Sequence, residues 1–148
     1  MTWFFRDHTA DIAIVCRAHT LKSLIQEMVK ALSQVQGEVP PGIEKKCIQN
    51  VPVKGRINFT DLQDLTWEFC DMLNSFLSDA GSRSALLLKL EPLELLEGRN
   101  LIKYEGIVKM VPWEHVTEKK TEIKAVTYSG AYLVKKGFYR EWQICVDV

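Results

Sequence analysis

At 148 residues the chain fits one domain, expected to span 1–148, and should bury roughly 68–70% of the surface its unfolded form exposes, so no disulfide or metal staple is needed for folding. Its 19 Lys plus Arg are balanced by 19 Asp plus Glu, which excludes a global field drawing it to nucleic acid or an anionic membrane. The longest apolar runs, such as 85–88, are too short to span a bilayer, and the N-terminus lacks a basic segment followed by an apolar stretch; a soluble, unsecreted, cytoplasmic protein is expected, or a nuclear one in a eukaryote.

In chain order, Ile12, Ile14 and Cys16 alternate with Ala13, Val15 and Arg17, the period-2 pattern of a strand rich in β-branched residues. Thr20 then reads as an N-cap, and Leu21, Leu24, Ile25, Met28, Val29, Leu32 and Val35 form one helical stripe before Gly37 and the Pro40-Pro41-Gly42 break. Between Lys46 and Phe59 the apolar residues Ile48, Val51, Val53, Ile57 and Phe59 are interrupted by Pro52 and Gly55, which predicts an edge strand or a bend.

A second helix is expected from Thr60, which with Gln63 has capping-box spacing. Leu62, Leu65, Phe69, Met72, Leu73, Phe76 and Leu77 supply its apolar face as far as Gly81. Its other side carries Asp61, Asp64, Glu68 and Asp71, a pattern that reads as a solvated face. From Ser84 the chain is strand-like: Leu86, Leu88 and Leu90, then 101–111, 122–134 and 139–148, with turns at Gly98-Arg99-Asn100 and Lys135-Lys136-Gly137. The order predicts an α+β domain, an antiparallel sheet with two amphipathic helices packed on one face.

Cys16, Cys47, Cys70 and Cys145 form no Cys-x-x-Cys pair and read as reduced thiols. The chain has no Gly-rich phosphate loop, no Gly-x-Ser-x-Gly elbow and no His-Glu-x-x-His helix. His8, His19 and His115 are too dispersed for a zinc site, so the available chemistry is that of hard oxygen donors.

Those donors concentrate at the two ends. If residues 7–11 run extended, Asp7, Thr9 and Asp11 share one face while His8 and Ala10 take the other. In the last strand Trp142, Ile144 and Val146 point to the core, which turns Gln143, Cys145 and Asp147 outward. Val148 adds a main-chain carboxylate if the chain ends there. Asp11, Asp147 and that carboxylate would offer several anionic oxygens, fewer than the six to eight that Ca2+ prefers, which leaves an open site.

The run His8-Thr9-Ala10-Asp11-Ile12, the stretch Glu122-Ile123-Lys124-Ala125-Val126-Thr127-Tyr128 and an ending in Asp147-Val148 after an apolar strand together resemble the archease family. The resemblance implies a protein cofactor, not an enzyme, that activates the GTP-dependent RNA ligase of the RtcB type in tRNA splicing. It would promote guanylylation and multiple turnover of that ligase, meeting RNA and GTP only through it. The same resemblance implies a divalent cation, Ca2+ before Mg2+ or Mn2+, held by Asp11, Asp147 and Val148.

Two positions depart from the family pattern. Ala13 stands where archeases often have glycine, and Ser129 where many have histidine, which puts a ligand or proton-transfer role at position 129 in doubt. Asp7, His8, His115 and Ser129 are the candidate site neighbours; Lys103 and Lys124 read as strand lysines on a solvent face. Two other functions fit the residues. One is a free-standing metal-dependent hydrolase with His8 as the nearest base, although alternation points His8 away from Asp11. The other is an interaction module whose acidic second helix docks a basic partner.

Overall fold

The computed structural model describes residues 2–7 and 11–148. Strand β1 (Thr2–Asp7) pairs antiparallel with β2 (Asp11–Ala18), and Asp7 stands opposite Ile12. Asp7 and Asp11 therefore belong to different, antiparallel strands, and do not share one face of a single strand as the sequence reading had them. Helix α1 (Leu21–Gln36) starts where Thr20 Oγ1 accepts the Ser23 amide (3.1 Å), satisfying one of the amides that a helix leaves unpaired in its first turn. Its expected stripe is buried throughout. A two-residue strand β3 (Gly37–Glu38) and a 3-10 turn at Ile43–Lys45 lead to β4 (Gln49–Asn58).

Helix α2 (Leu62–Ser82) begins one residue later than its expected box. Asp61, not Thr60, is the cap: its Oδ1 accepts the Asp64 amide (2.8 Å), while Asp64 Oδ2 reaches back to the Thr60 amide (2.9 Å). Leu62, now the first helical residue, is 51% exposed and leaves the apolar face. Strands β5 (Ala85–Gly98), β6 (Leu101–Pro112), β7 (Glu118–Lys119), β8 (Ala125–Lys136) and β9 (Tyr139–Asp147) complete the chain, with a 3-10 turn at Trp113–His115 between β6 and β7. The strict alternation expected at Leu86, Leu88 and Leu90 fails because register shifts interrupt β5 after Leu87 and after Leu90. Leu86, Leu87 and Leu90 are the fully buried residues.

The α+β class holds, with all pairing antiparallel and the strands divided among sheets: β1-β2-β9-β8, β4-β6-β5 and a ribbon of β3 with β7. Of the two sequence options for Pro52, the edge strand is realised, since β4 borders its sheet and an edge tolerates a missing donor. One hydrophobic cluster unites both helices with both larger sheets; Phe69 of α2 meets Trp142 of β9 with ring centroids 5.4 Å apart. Each such fully buried ring contributes on the order of 1.5–3 kcal/mol of hydrophobic stabilisation. Cys16, Cys70 and Cys145 are buried free thiols, and Cys47 is half-buried.

The last turn of α1 is tied to β5 and to the segment that leads into β8. Gln36, buried, donates to the carbonyls of Leu32 (3.1 Å) and Leu87 (3.3 Å) and accepts the Leu87 amide (3.3 Å). The amides of Lys120 and Thr121 then close on the carbonyls of Gln36 and Val35. At Gly37 the β3-β7 ribbon approaches so closely that a Cβ would collide with the Glu118 carbonyl, which requires glycine there.

Candidate metal centre

The register of the four-stranded sheet decides the geometry. Ile12, Ile14 and Cys16 of β2 and Trp142, Ile144 and Val146 of β9 enter the core, so the odd-numbered residues of both strands share the outer face. On that face Asp11 stands directly opposite Asp147, and Ala125 of β8 flanks Asp147 on its other side. Residues so placed have Cβ atoms about 4.5–5.5 Å apart. The Asp147 carbonyl accepts the Lys124 amide (2.8 Å), which fixes the last strand beside the 121–124 segment. Val148 follows, 36% exposed.

Like charges directly opposed on neighbouring strands repel. Among the described residues no lysine, arginine or histidine forms an ion pair with Asp11 or Asp147. Two half-buried carboxylates held together with no cationic partner among the described residues suit a hard divalent cation, so the donor set fits such an ion. Beside them Cys145 is buried, and burial first, then the Asp11 charge, pushes its thiol upward. It stays a protonated thiol and offers no soft thiolate. Among the described residues no group of three or more His, Cys, Asp or Glu side chains gathers at one place, so the two carboxylates stand without a further side-chain donor of that kind.

The bulge of β8 completes the outer face. Between Thr127, opposite Cys145, and Tyr132, opposite Gln143, four residues of β8 face one of β9. Gly130, at φ +77°, lies over Cys145 where a Cβ would come within 2.8 Å of Sγ, and its carbonyl accepts Gln143 Nε2 (2.8 Å).

The profile of the archease protein family (MTH1598/TM1083) matches residues 3–148. This chain belongs to the archease family. Its fold is similar to the solution structure of Methanobacterium thermoautotrophicum protein 1598, with a TM-score of 0.75 at 17% identity, covering 99% of this chain and 98% of that one. It is also similar to the crystal structure of a Thermotoga maritima archease described as a possible chaperone, with a TM-score of 0.58 at 20% identity over 97% and 94% of the two chains. No curated protein matches the sequence. The expected family and its α+β fold are thereby shown.

Of the four candidate neighbours in this archease, His8 lies outside the described residues, and Asp7 is placed by its backbone opposite Ile12. Ser129 is exposed in the β8 bulge. His115 ends the 3-10 turn after β6, 3.7 Å from Glu114, and no contact ties it to Asp11 or Asp147. Lys124 enters the centre through its amide, not its side chain.

Several groups escaped the sequence reading. Asn74 of α2 acts as a strand partner for β8, the outermost strand on that side: Nδ2 donates to the Val126 carbonyl (2.8 Å) and Oδ1 accepts the Val126 amide (2.7 Å). Asn74→Ala should cost about 2 kcal/mol by orphaning a buried amide and carbonyl beside the centre, read as a lower urea midpoint at unchanged slope. An unchanged midpoint would show that water replaces the side chain. Asp71, expected on a solvated face, accepts the Tyr128 hydroxyl. Glu141, 1% exposed, is bound by Arg17 Nε (2.7 Å), Tyr132 Oη (2.6 Å) and Lys136 Nζ (3.3 Å). All three depend on pairings distant in sequence, which no local spacing reveals.

Proposed function

We propose that this archease is a protein activator of a GTP-dependent RNA ligase of the RtcB type, acting in tRNA splicing, and that Asp11 and Asp147 are its working residues. The observation that supports this best is the direct opposition of Asp11 and Asp147 at one end of the β2-β9 pair, followed by exposed Val148. Among the described residues of this constellation no side chain forms a nucleophile with an adjacent base, which favours a partner as the seat of the chemistry. Guanylyl transfer onto a ligase histidine depends on placement and on neutralising charge around the phosphoryl group. A paired, anionic strand end can approach the cation-rich nucleotide centre that such a reaction requires and bias where those charges sit.

A divalent cation, Ca2+ foremost, would be held by the carboxylates of Asp11 and Asp147 with the main-chain oxygens of Val148, and when bound it would supply compact positive charge to the strand end. The core beneath, with Ile12, Ile14, Ile144 and Val146 interlocked, keeps the two carboxylates in register independently of any ion. RNA and GTP need no contact with this chain. The cytoplasm, or the nucleus of a eukaryote, is where such a ligase would be met.

The decisive experiment adds the purified protein to its candidate ligase with GTP and broken RNA and counts turnovers with and without it. Stimulation beyond one turnover per ligase supports the reading, and its absence at saturating protein removes it. Removing Val148 should weaken Ca2+ binding measured by calorimetry while leaving the melting temperature of the calcium-free protein unchanged. Full Ca2+ affinity in the truncated protein would exclude Val148 as a ligand.

A further inference from the structure

The α2 segment Leu62–Ser82 carries the carboxylates of Asp64, Glu68, Asp71 and Asp79 and no lysine or arginine, in a chain whose charges cancel only as a whole. Asp79 is paired with Arg83 (3.2 Å), just beyond the helix. The other three lie with Trp67 at i, i+3, i+4 and i+7 spacing, which makes one helical stripe of Asp64, Trp67, Glu68 and Asp71.

That stripe contains more than solvated charge. Trp67 is 40% exposed and packs against Tyr128, itself 47% exposed, with ring centroids 5.7 Å apart and planes 30° from parallel. The Tyr128 hydroxyl donates to Asp71 Oδ1, so the bulge of β8 and the helix hold both rings in one arrangement. Single exposed aromatics are ordinary on protein surfaces. A pair already ordered by packing and a hydrogen bond differs, because it loses little rotamer freedom when a partner arrives. Tryptophan and tyrosine in that state are the residues that anchor interfaces.

The surrounding charge selects the partner. A phosphate-rich surface would meet Asp64, Glu68 and Asp71 and be repelled. A guanidinium fits both halves of the stripe, stacking on a ring face while its planar fork donates to a carboxylate. Asp64 and Asp71, though engaged, keep acceptor sites, since an ionised carboxylate offers about four. We propose that the Asp64–Trp67–Glu68–Asp71 stripe with Tyr128 is a docking surface for an arginine-bearing basic segment of a partner protein. It shares no residue with the Asp11–Asp147 pair, so either assignment can fail without the other.

The test uses a decaarginine peptide as probe and the indole N–H signals of the isotope-labelled protein, whose four tryptophans are distinguished by the loss of one signal in Trp67→Phe. The Trp67 signal should shift saturably with peptide, decalysine should bind several-fold more weakly, and decathymidylate should leave that signal in place. Trp67→Ala should weaken the arginine peptide roughly tenfold, as expected of an aromatic anchor. Glu68→Gln, which leaves the rings intact, should weaken it several-fold and flatten its salt dependence. Wild-type affinity in Glu68→Gln or in folded Trp67→Ala, a peptide that leaves the Trp67 signal unmoved, or a Trp67 shift with decathymidylate overturns the assignment.

Discussion

Alanine at Asp11, or at Asp147, is expected to abolish multiple-turnover stimulation of the ligase while the protein stays folded. Both residues lie on the outer face at a strand end, where neither packs in the core cluster, so truncation opens no cavity. Asparagine at either position should separate the electrostatic role from the steric one. It removes one of two opposed charges, which should stabilise the calcium-free fold by about 0.2–1 kcal/mol, yet it should lose stimulation as completely as alanine does. Added Ca2+ should raise the melting temperature of the wild type and of neither variant. The measurements are turnovers per ligase and thermal melts with and without Ca2+. Wild-type stimulation by Asp11→Asn would end the assignment of the working residues, and loss of stimulation accompanied by unfolding would reduce them to structural ones.

Acid should reveal the second large effect, at Glu141. Burial alone would push its carboxyl upward, but the Tyr132 hydroxyl, the Arg17 guanidinium and the Lys136 ammonium outweigh it and hold the group down from an ordinary 4.5 to about 2. Arg17 is itself braced by the rings of Phe4 (5.0 Å) and Tyr139 (5.9 Å). Because the folded value lies below the unfolded one, the unfolded chain binds the proton first, so this stability is complete above about pH 4.5 and disappears as pH falls toward 2. A displacement of that size corresponds to about 3 kcal/mol. Glu141→Gln should therefore be less stable than wild type by a few kcal/mol near pH 6, and the gap should close by pH 2 in urea titrations. Other carboxylates titrate in both proteins and cancel in the difference. A gap that stays constant from pH 6 to pH 2.5 would show that Glu141 acts through shape and not through its charge.

The stripe from Leu21 to Val35 was legible because helical burial is periodic, and the same rule found the core faces of β2 and β9. It also placed Asp147 on the face opposite Trp142, Ile144 and Val146, which the register bears out. Local spacing misled where two solutions compete within a residue of each other. Thr60 and Asp61 can both cap a helix, and Asp61 wins because Asp64 can then bind back to Thr60. It failed again in β5, where the bulge after Leu87 brings Leu87 and Leu90 onto the core face while Leu86 is buried on the other.

By itself the sequence determined the α+β class and the two amphipathic helices, because composition and periodicity act over a few neighbours, while its terminal motifs carried the resemblance to the family. The tertiary structure alone decided that β2 and β9 lie side by side, since that pairing joins residues as far apart as Asp11 and Asp147. It set Asp11 across from Asp147, gathered Arg17, Tyr132 and Lys136 around Glu141, and brought Tyr128 to Trp67 and Asp71. A carboxylate in a strand looks the same in sequence whether it faces solvent, an arginine or another carboxylate. Its energy and its chemistry come from the neighbour that the register supplies.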